Sequence, residues 1–350
     1  MRGISVYLGD NSFQGLAPYI EKVSKLGFTS IFTSLHIPED DPLLYKERLQ
    51  QLGRWAIQFD MELMADIAPQ SLAHLGFGWD NAEGLLEWGV TGLRIDYGVD
   101  DNVIAGLSHK MKIALNASTL TKEGLAALIR AGLQRDAVEM WHNFYPRPET
   151  GLDPMEFVKT NLWLKSEGLR VMAFIPGDGL LRGPLHNGLP TLEEHRKISP
   201  FNAYLHLKAD GAVDKILVGD ITLSDESLNQ FSAFHQGTIP LRAEPLVEIE
   251  TMAVQTNRFD AARDCIRSVE SRQYGLIGTH LLEPNNTIVR NKGSITVDNE
   301  RYGRYRGELQ ITKRDLPADD KVNVIGKIIE EDLALLTYIK GGVKFKIEWI

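Results

Sequence analysis

Short apolar, β-branched runs recur along the first two thirds of the chain, at 4–8, 29–35, 62–67, 92–98, 112–118, 137–141, 170–176 and 214–220. Each is too short for a helix and reads as a strand. Between the first two, Leu16, Ile20, Val23 and Leu26 fall at helical spacing, and Gly27 stops the helix they mark. Further helices are predicted over 42–59, 82–88 (ended by Gly89), 121–131 (stopped at Gly132) and 224–234, and Asp153 with Pro154 reads as a helix start. Strand alternating with helix predicts parallel βαβ units. Eight repeats predict an α/β fold closed as a (β/α)₈ barrel. An open doubly wound sheet is the alternative, but no Gly-x-Gly-x-x-Gly turn follows the first strand.

After Gly237 the pattern changes. Residues 238–245 read as a linker or an extended first strand, and β-type runs follow at 247–254, 287–290, 294–297, 307–312, 322–325 and 343–347, with one helix at 330–338. These predict a mostly-β second domain over 238–350, a small barrel, behind a first domain of 1–237.

Composition narrows the function by exclusion. A net charge of −9 over 350 residues argues against nucleic acid or an anionic membrane surface as partner. An anionic small ligand would need a local focus of Arg and Lys. The single cysteine, Cys265, excludes an internal disulfide and a Cys-rich zinc site, and is expected as a small buried or helical residue. No run approaches the ~18 consecutive apolar residues of a membrane span. The stretch from Met1 to Leu8 is too short and polar for a signal peptide, so the expected location is cytoplasmic.

The densest candidate site is 141–151, Trp141-His142-Asn143-Phe144-Tyr145-Pro146-Arg147-Pro148-Glu149-Thr150-Gly151, where a strand runs into a proline-stiffened polar loop. In a (β/α)₈ barrel chemistry sits at the C-terminal strand ends. Those ends carry Asp10, His36, Glu39, Asp66, Asp96, Tyr97, Asn116, Ser118, His142, Asn143, Tyr145, Arg147, Glu149, Asp178 and Asp220. Carboxylates converging on one mouth suit acid/base work on a polyhydroxylated substrate, and crowding raises the pKa of one of them. Asp66 and Asp96 occupy equivalent places on neighbouring strands. For any single Asp the plain alternative is a solvated cap on the following helix.

A second rich stretch, 180–196, is a Gly/Pro-shaped loop holding Arg182 and Arg196, with Thr191 and Glu194 spaced as a capping box. A helix start beside Arg182 fits a phosphate, which barrels often hold in late loops; an ordinary capped surface helix is the alternative. No metal is expected: His36 and His142 lack metal-ligand spacing, and His142 reads as a hydrogen-bonding histidine. No Gly-x-Ser-x-Gly occurs. In the second domain 293–311 interleaves Arg and Tyr, which fits an anionic small molecule, an interdomain contact or a charged hairpin face.

The strings Ser5-Val6-Tyr7-Leu8-Gly9, Phe32-Thr33-Ser34-Leu35-His36-Ile37-Pro38-Glu39, Leu63-Met64-Ala65-Asp66-Ile67, Asn143 to Gly151, Gly188-Leu189-Pro190-Thr191-Leu192-Glu193 and Tyr302 to Ile311 resemble the bacterial 6-phospho-N-acetylmuramidase family over essentially the whole chain. The resemblance implies a TIM-like barrel followed by a cyclophilin-like β-barrel. It implies hydrolysis of a phosphorylated amino-sugar disaccharide, releasing N-acetylmuramic acid 6-phosphate from N-acetylglucosamine in cell-wall recycling, with no cofactor. On that substrate Arg147, Arg182, Arg196, Arg304 and Arg306 are the candidates for the phosphate and lactyl carboxylate. His36, Asn116, His142, Asn143, Tyr145 and Asp220 are candidates for the hydroxyl and acetamido groups. Asp66 and Asp96 are the expected principal carboxylates, with Asp178 and Glu149 in reserve, and the substrate's 2-acetamido group is a possible nucleophile. Two rivals stand beside this: a sugar-phosphate isomerase or aldolase, though strands three to seven end without a Schiff-base lysine, and a non-catalytic carbohydrate-binding protein.

Overall fold

A computed structural model describes residues 1–9, 12–35, 44–96, 98–274 and 281–350. The chain forms two compact units, Met1–Leu228 and Asn229–Ile350.

The first unit is a closed parallel barrel of β1 (Arg2–Ser5), β2 (Ser30–Ser34), β3 (Glu62–Ile67), β4 (Gly92–Ile95), β5 (Lys112–Asn116), β6 (Val138–Trp141), β7 (Arg170–Ile175) and β8 (Lys215–Val218). Closure is direct: Ile4 lies opposite Ile31 on one side and Val218 on the other. Helices α1 (Ala17–Lys25), α2 (Tyr45–Gln58), α3 (Pro69–His74), α4 (Asp101–Ser108), α5 (Lys122–Arg130), α6 (Pro154–Ser166), α7 (Pro200–Asp210) and α8 (Asp225–His235) alternate with the strands. The strands are buried on both faces, so they read as continuous apolar runs rather than alternating ones. Asp153 caps α6 through the N–H groups of Met155 and Glu156, with Pro154 in the first turn. Residues 82–88 form a 3₁₀ helix closed by Gly89 in the left-handed region (φ 84°), where α2 passes so near that a Cβ on Gly53 would lie 1.6 Å from the Trp88 carbonyl oxygen.

Inward-facing residues stack in three levels, because side chains alternate along each strand. Along β3 they are Glu62, Met64 and Asp66. At the strand starts Lys215 bridges Glu62 (2.6 Å) and Glu139 (2.5 Å), and Lys112 adds a third pair to Glu62 (2.5 Å). The middle is apolar: Phe32, Met64, Ala114, Trp141, Met172, Phe174 and Leu217. Polar groups return at the C-terminal mouth.

The second unit is a seven-stranded sheet of β9 (Thr238–Pro245), β10 (Gln255–Thr256), β11 (Cys265–Arg267), β12 (Ser294–Asp298), β13 (Leu309–Thr312), β14 (Val322–Ile328) and β15 (Lys344–Trp349), with α9 (Val269–Tyr274) after β11. Its order is β10-β15-β9-β14-β12-β13-β11, with β9 and β15 parallel and the other pairs antiparallel. A bridge between Asn257 and Ser268 brings the two ends together into a nearly closed barrel. Several expectations change here. Of the two readings of residues 238–245, the extended first strand holds and the linker does not: they are an inner strand. Residues 247–254 are not a strand: both edges of β9 are already taken by β14 and β15. Residues 287–290 contribute one bridge, from Arg290 to Leu316. Residues 330–338 are a 3₁₀ helix, and Cys265 lies half-buried on β11 rather than in a helix. Among the described residues no helix is long and apolar enough to cross a membrane.

Candidate active site

The mouth of the first barrel is spanned by a chain of hydrogen bonds, joined at one point by an ion pair, across five successive strand ends. The Asp66 carboxylate, at the end of β3, accepts from Arg94 Nη1 at 2.7 Å and from Ser34 Oγ of β2 at 3.1 Å. Arg94, on β4 and 5% exposed, also donates through Nη2 to Asn143 Oδ1 beyond β6 at 2.5 Å, and lies 3.6 Å from Asp96 Oδ1. Asp96 Oδ1 accepts from Asn116 Nδ2 of β5 at 2.7 Å. Asn116 Oδ1 accepts the Ser118 N–H (2.9 Å), and the Ser118 hydroxyl lies 2.9 Å from His142 Nδ1. His142 Nε2 meets Asn161 Oδ1 of α6 at 2.7 Å, and Asn161 Nδ2 donates to the Gly211 carbonyl at 2.8 Å.

This chain sorts the predicted residues. Because the Asn161 amide gives its N–H₂ to Gly211, its oxygen faces His142, which donates from Nε2 and accepts from Ser118 at Nδ1. Burial pushes the His142 imidazole down to about 4, so it stays neutral at neutral pH and fixes geometry. Both Asp66 oxygens are engaged. Asp96 is the more open carboxylate, its side chain 32% exposed against 17% for Asp66, and among the described residues its Oδ2 has no hydrogen-bond partner.

The loops after β6 and β7 are clasped together beside this chain. Thr191 Oγ accepts the Phe174 N–H and donates to the Asn143 carbonyl, both at 2.9 Å. The capping-box expectation is therefore overturned: only a 3₁₀ turn, Glu193–His195, follows Thr191, and α7 starts later with Ser199 as its cap. Glu193 accepts the N–H groups of Glu149 (2.9 Å) and Gly151 (2.8 Å) and pairs with Arg196 at 2.6 Å. The Arg196 bonds, foremost, hold the Glu193 carboxyl down to about 2. Arg196 also donates to the carbonyls of Tyr145 (2.9 Å) and Gly188 (3.1 Å), so its guanidinium is consumed in shaping the loops. Asp220 is fully buried and accepts the N–H groups of Gly177 (2.8 Å), Leu189 (2.9 Å) and Arg182 (3.0 Å). Burial raises its carboxyl above the usual range, and its place is inside the loop rather than facing a ligand.

Arg182 differs from Arg196. Its guanidinium stacks over Tyr7 at 4.1 Å and near Phe144 at 5.9 Å, and forms no ion pair with a carboxylate among the described residues. Arg147 and Glu149 are exposed on the 143–151 loop, Glu149 at φ 72°, and the half-buried Tyr145 contributes backbone bonds there. Asp178 is exposed and accepts from the Ser224 N–H (2.8 Å), Ser224 Oγ (2.8 Å) and Ser227 Oγ (2.7 Å), the cap of α8. Arg304 and Arg306 are exposed in the second unit, Arg304 stacked on Tyr305 at 4.8 Å. His36, Asp10, Glu39 and Tyr97 lie outside the described residues.

Sequence reasoning missed Arg94, Ser34, Asn161 and Glu193. Arg94 left a signal: a charge inside an apolar strand, two residues before Asp96, must point into the barrel and be paired there. Among the described residues, Glu194, His195 and His206 are the His/carboxylate group compact enough for a metal ion, but they stand on the turn before α7 and on α7 itself. There His195 Nε2 and His206 Nδ1 are hydrogen-bonded at 2.8 Å. A cavity of about 250 Å³ opens beside Asp96 and Asn116, and a larger cleft of about 740 Å³ lies by Lys112 and Ala137, at the strand starts away from the carboxylates.

Two family models match in tandem, the N-terminal part of 6-phospho-N-acetylmuramidase over residues 2–233 and its C-terminal part over 241–348. The chain belongs to the 6-phospho-N-acetylmuramidase family. This is a glycosidase family by name, and its implied substrate contains a phosphorylated muramic acid. Among solved structures, a conserved Enterococcus faecalis protein of unknown function is 45% identical, with all of this chain and 96% of that one covered and a TM-score of 0.91. An uncharacterized B. cereus protein is 27% identical over 99% of both chains, with a TM-score of 0.76. No curated protein matches. For a member of the 6-phospho-N-acetylmuramidase family, the described residues of the mouth offer Asp96 as an open carboxylate, held in place by Arg94 and Asn116, and Arg182 as a stacked cation.

Proposed function

We propose that the protein hydrolyses the glycosidic bond between N-acetylmuramic acid 6-phosphate and N-acetylglucosamine, in the cytoplasm, as a step of cell-wall recycling. The observation that carries this reading is the Asp66–Arg94–Asp96 arrangement at the mouth, in a chain whose two halves match this family. Asp96 is the carboxylate that meets the sugar, its Oδ2, without a hydrogen-bond partner among the described residues, accepting the N–H of the 2-acetamido group and turning the acetamido carbonyl toward the anomeric carbon. Asp66 is a positioning residue, since it spends both oxygens on Arg94 and Ser34. Arg182 takes the 6-phosphate: a guanidinium already stacked on Tyr7 loses little freedom on gripping a dianion, and among the described residues it forms no ion pair with a carboxylate. The buried Lys215 stands at the strand starts between Glu62 and Glu139, away from the mouth, which disfavours a Schiff-base aldolase.

The test is product release from the 6-phosphorylated disaccharide beside its unphosphorylated counterpart. Cleavage of the phosphorylated sugar alone, with Arg182→Met raising its KM by at least about tenfold, is the expected outcome. Failure of the folded wild-type protein to cleave either sugar overturns the reading.

A further inference from the structure

The turn Glu193–His195 and helix α7 bring three side chains with metal-binding atoms to one point, and the hydrolase reading uses none of them. Each of Glu194, His195 and His206 offers one such atom, and the three atoms lie within 4.8 Å of one another. His195 is fully buried, while the side chains of His206 and Glu194 are 30% and 47% exposed, so the point is anchored on one side and open to solvent on the other. His195 Nε2 and His206 Nδ1 are 2.8 Å apart, and Glu194 Oε1 is 3.4 Å from that same Nδ1. With both rings neutral, a single proton serves these three lone-pair atoms. The Glu194 carboxylate favours that proton on His206 Nδ1, where it faces both acceptors. His195 then carries its own proton on Nδ1, which has no hydrogen-bond partner among the described residues. Its Nε2 is thereby already in the deprotonated form that a metal takes. With Zn–N bonds of about 2.0–2.1 Å in tetrahedral geometry, two nitrogens stand about 3.3 Å apart, so the present 2.8 Å need open by only about 0.5 Å. The part-exposed His206 can supply that movement.

We propose that Glu194, His195 and His206 form a binding site for a divalent transition-metal ion of the zinc class, which replaces the shared proton and keeps water at its fourth position. Two imidazole nitrogens with one carboxylate suit zinc, whereas magnesium and calcium take oxygen ligands. Glu193, in the same turn, accepts the N–H groups of Glu149 and Gly151, so a cation here ties α7 to the clasp between the loops after β6 and β7. The proposal is independent of the hydrolase reading, and its test needs no substrate.

The experiment titrates Zn²⁺ by calorimetry into tag-free protein, stripped with EDTA and dialysed, for wild type, His206→Ala and Glu194→Gln. Wild type is expected to take up one ion per chain saturably, and Co²⁺ in its place to give the visible absorption of a four-coordinate site. His206→Ala is expected to weaken binding by about a hundredfold or more, and Glu194→Gln by about tenfold or more. Both side chains are part-exposed, so each variant is expected to melt like wild type without metal. Absence of saturable uptake by wild type overturns the site. Wild-type affinity in either folded variant also overturns it, because the ion then sits elsewhere.

Discussion

Arg94 serves two carboxylates that do different work. Its bond to Asp66 is short and largely sheltered, and its approach to Asp96 is longer and more open. Removing either carboxylate should therefore have separable effects. Asp96→Asn should lower kcat by about 10² or more with little change in melting temperature. Asp66→Asn leaves a buried guanidinium without its anion and should cost about 3 kcal/mol of stability, read by urea unfolding, with activity falling because Arg94 and Asn143 shift. Equal stability losses in the two variants would contradict this division. None of it was visible as a pair in the sequence. Asp66 and Asp96 were picked out by their place at strand ends, whereas Arg94 sits inside a strand and looked like one polar interruption.

At the level of elements, the sharpest case is the hairpin of β12 and β13. Asp298 ends β12, is 5% exposed and has one long bond, from Gln310 Nε2 at 3.4 Å. Glu308 beside it is already gripped by Arg267 at 2.5 and 3.1 Å. Burial, with the Glu308 charge next, pushes the Asp298 carboxyl up from 3.8 to about 7. The folded pKa lies above the unfolded one, so the protonated carboxyl's contribution to stability is full below about pH 3.8 and is lost as pH rises to about 7. Asp298→Asn should accordingly raise the melting temperature of the second unit at pH 8 and leave it nearly unchanged at pH 4. A pH-independent difference would show that the carboxyl is not neutral in the fold. The elements of this unit were also the hardest to read. Pro240 and Pro245 made β9 resemble a linker, yet it pairs on both sides; 247–254 alternates like a strand but has no free edge to join.

For the whole molecule, the barrel's interior opposes two polar ends across an apolar middle. The lower end is a buried ion cluster in which Lys215 touches Glu62 and Glu139, with Trp141 Nε1 donating to Glu139 at 2.8 Å. Lys215→Met would leave the buried Glu139 without its cation and Glu62 with Lys112 alone, and should destabilise the first unit by about 3–5 kcal/mol, measured by denaturant unfolding. Because this cluster is separated from the mouth by Phe32, Met64 and Met172, KM for substrate should stay near its wild-type value. A large KM change at unchanged stability would refute the separation.

Burial on both faces is a local property, written as continuous apolar runs. The eight parallel strands, their order and the strand-end residues that line the mouth were therefore legible from the chain alone. So were the Asp153–Pro154 helix start and the Gly89 stop, which depend on neighbours in sequence. Partner choice was not. Ser34, Asp66, Arg94, Asn116 and Asn143 are separated by up to about a hundred residues and meet because the barrel closes. Likewise Asp178, Asp220 and Arg196 carried the right chemistry in the right loops, and only packing spent them on a helix cap and on loop backbone. A hydrogen bond satisfied within the fold removes a group from chemistry, and which groups remain unsatisfied is decided by three-dimensional neighbours.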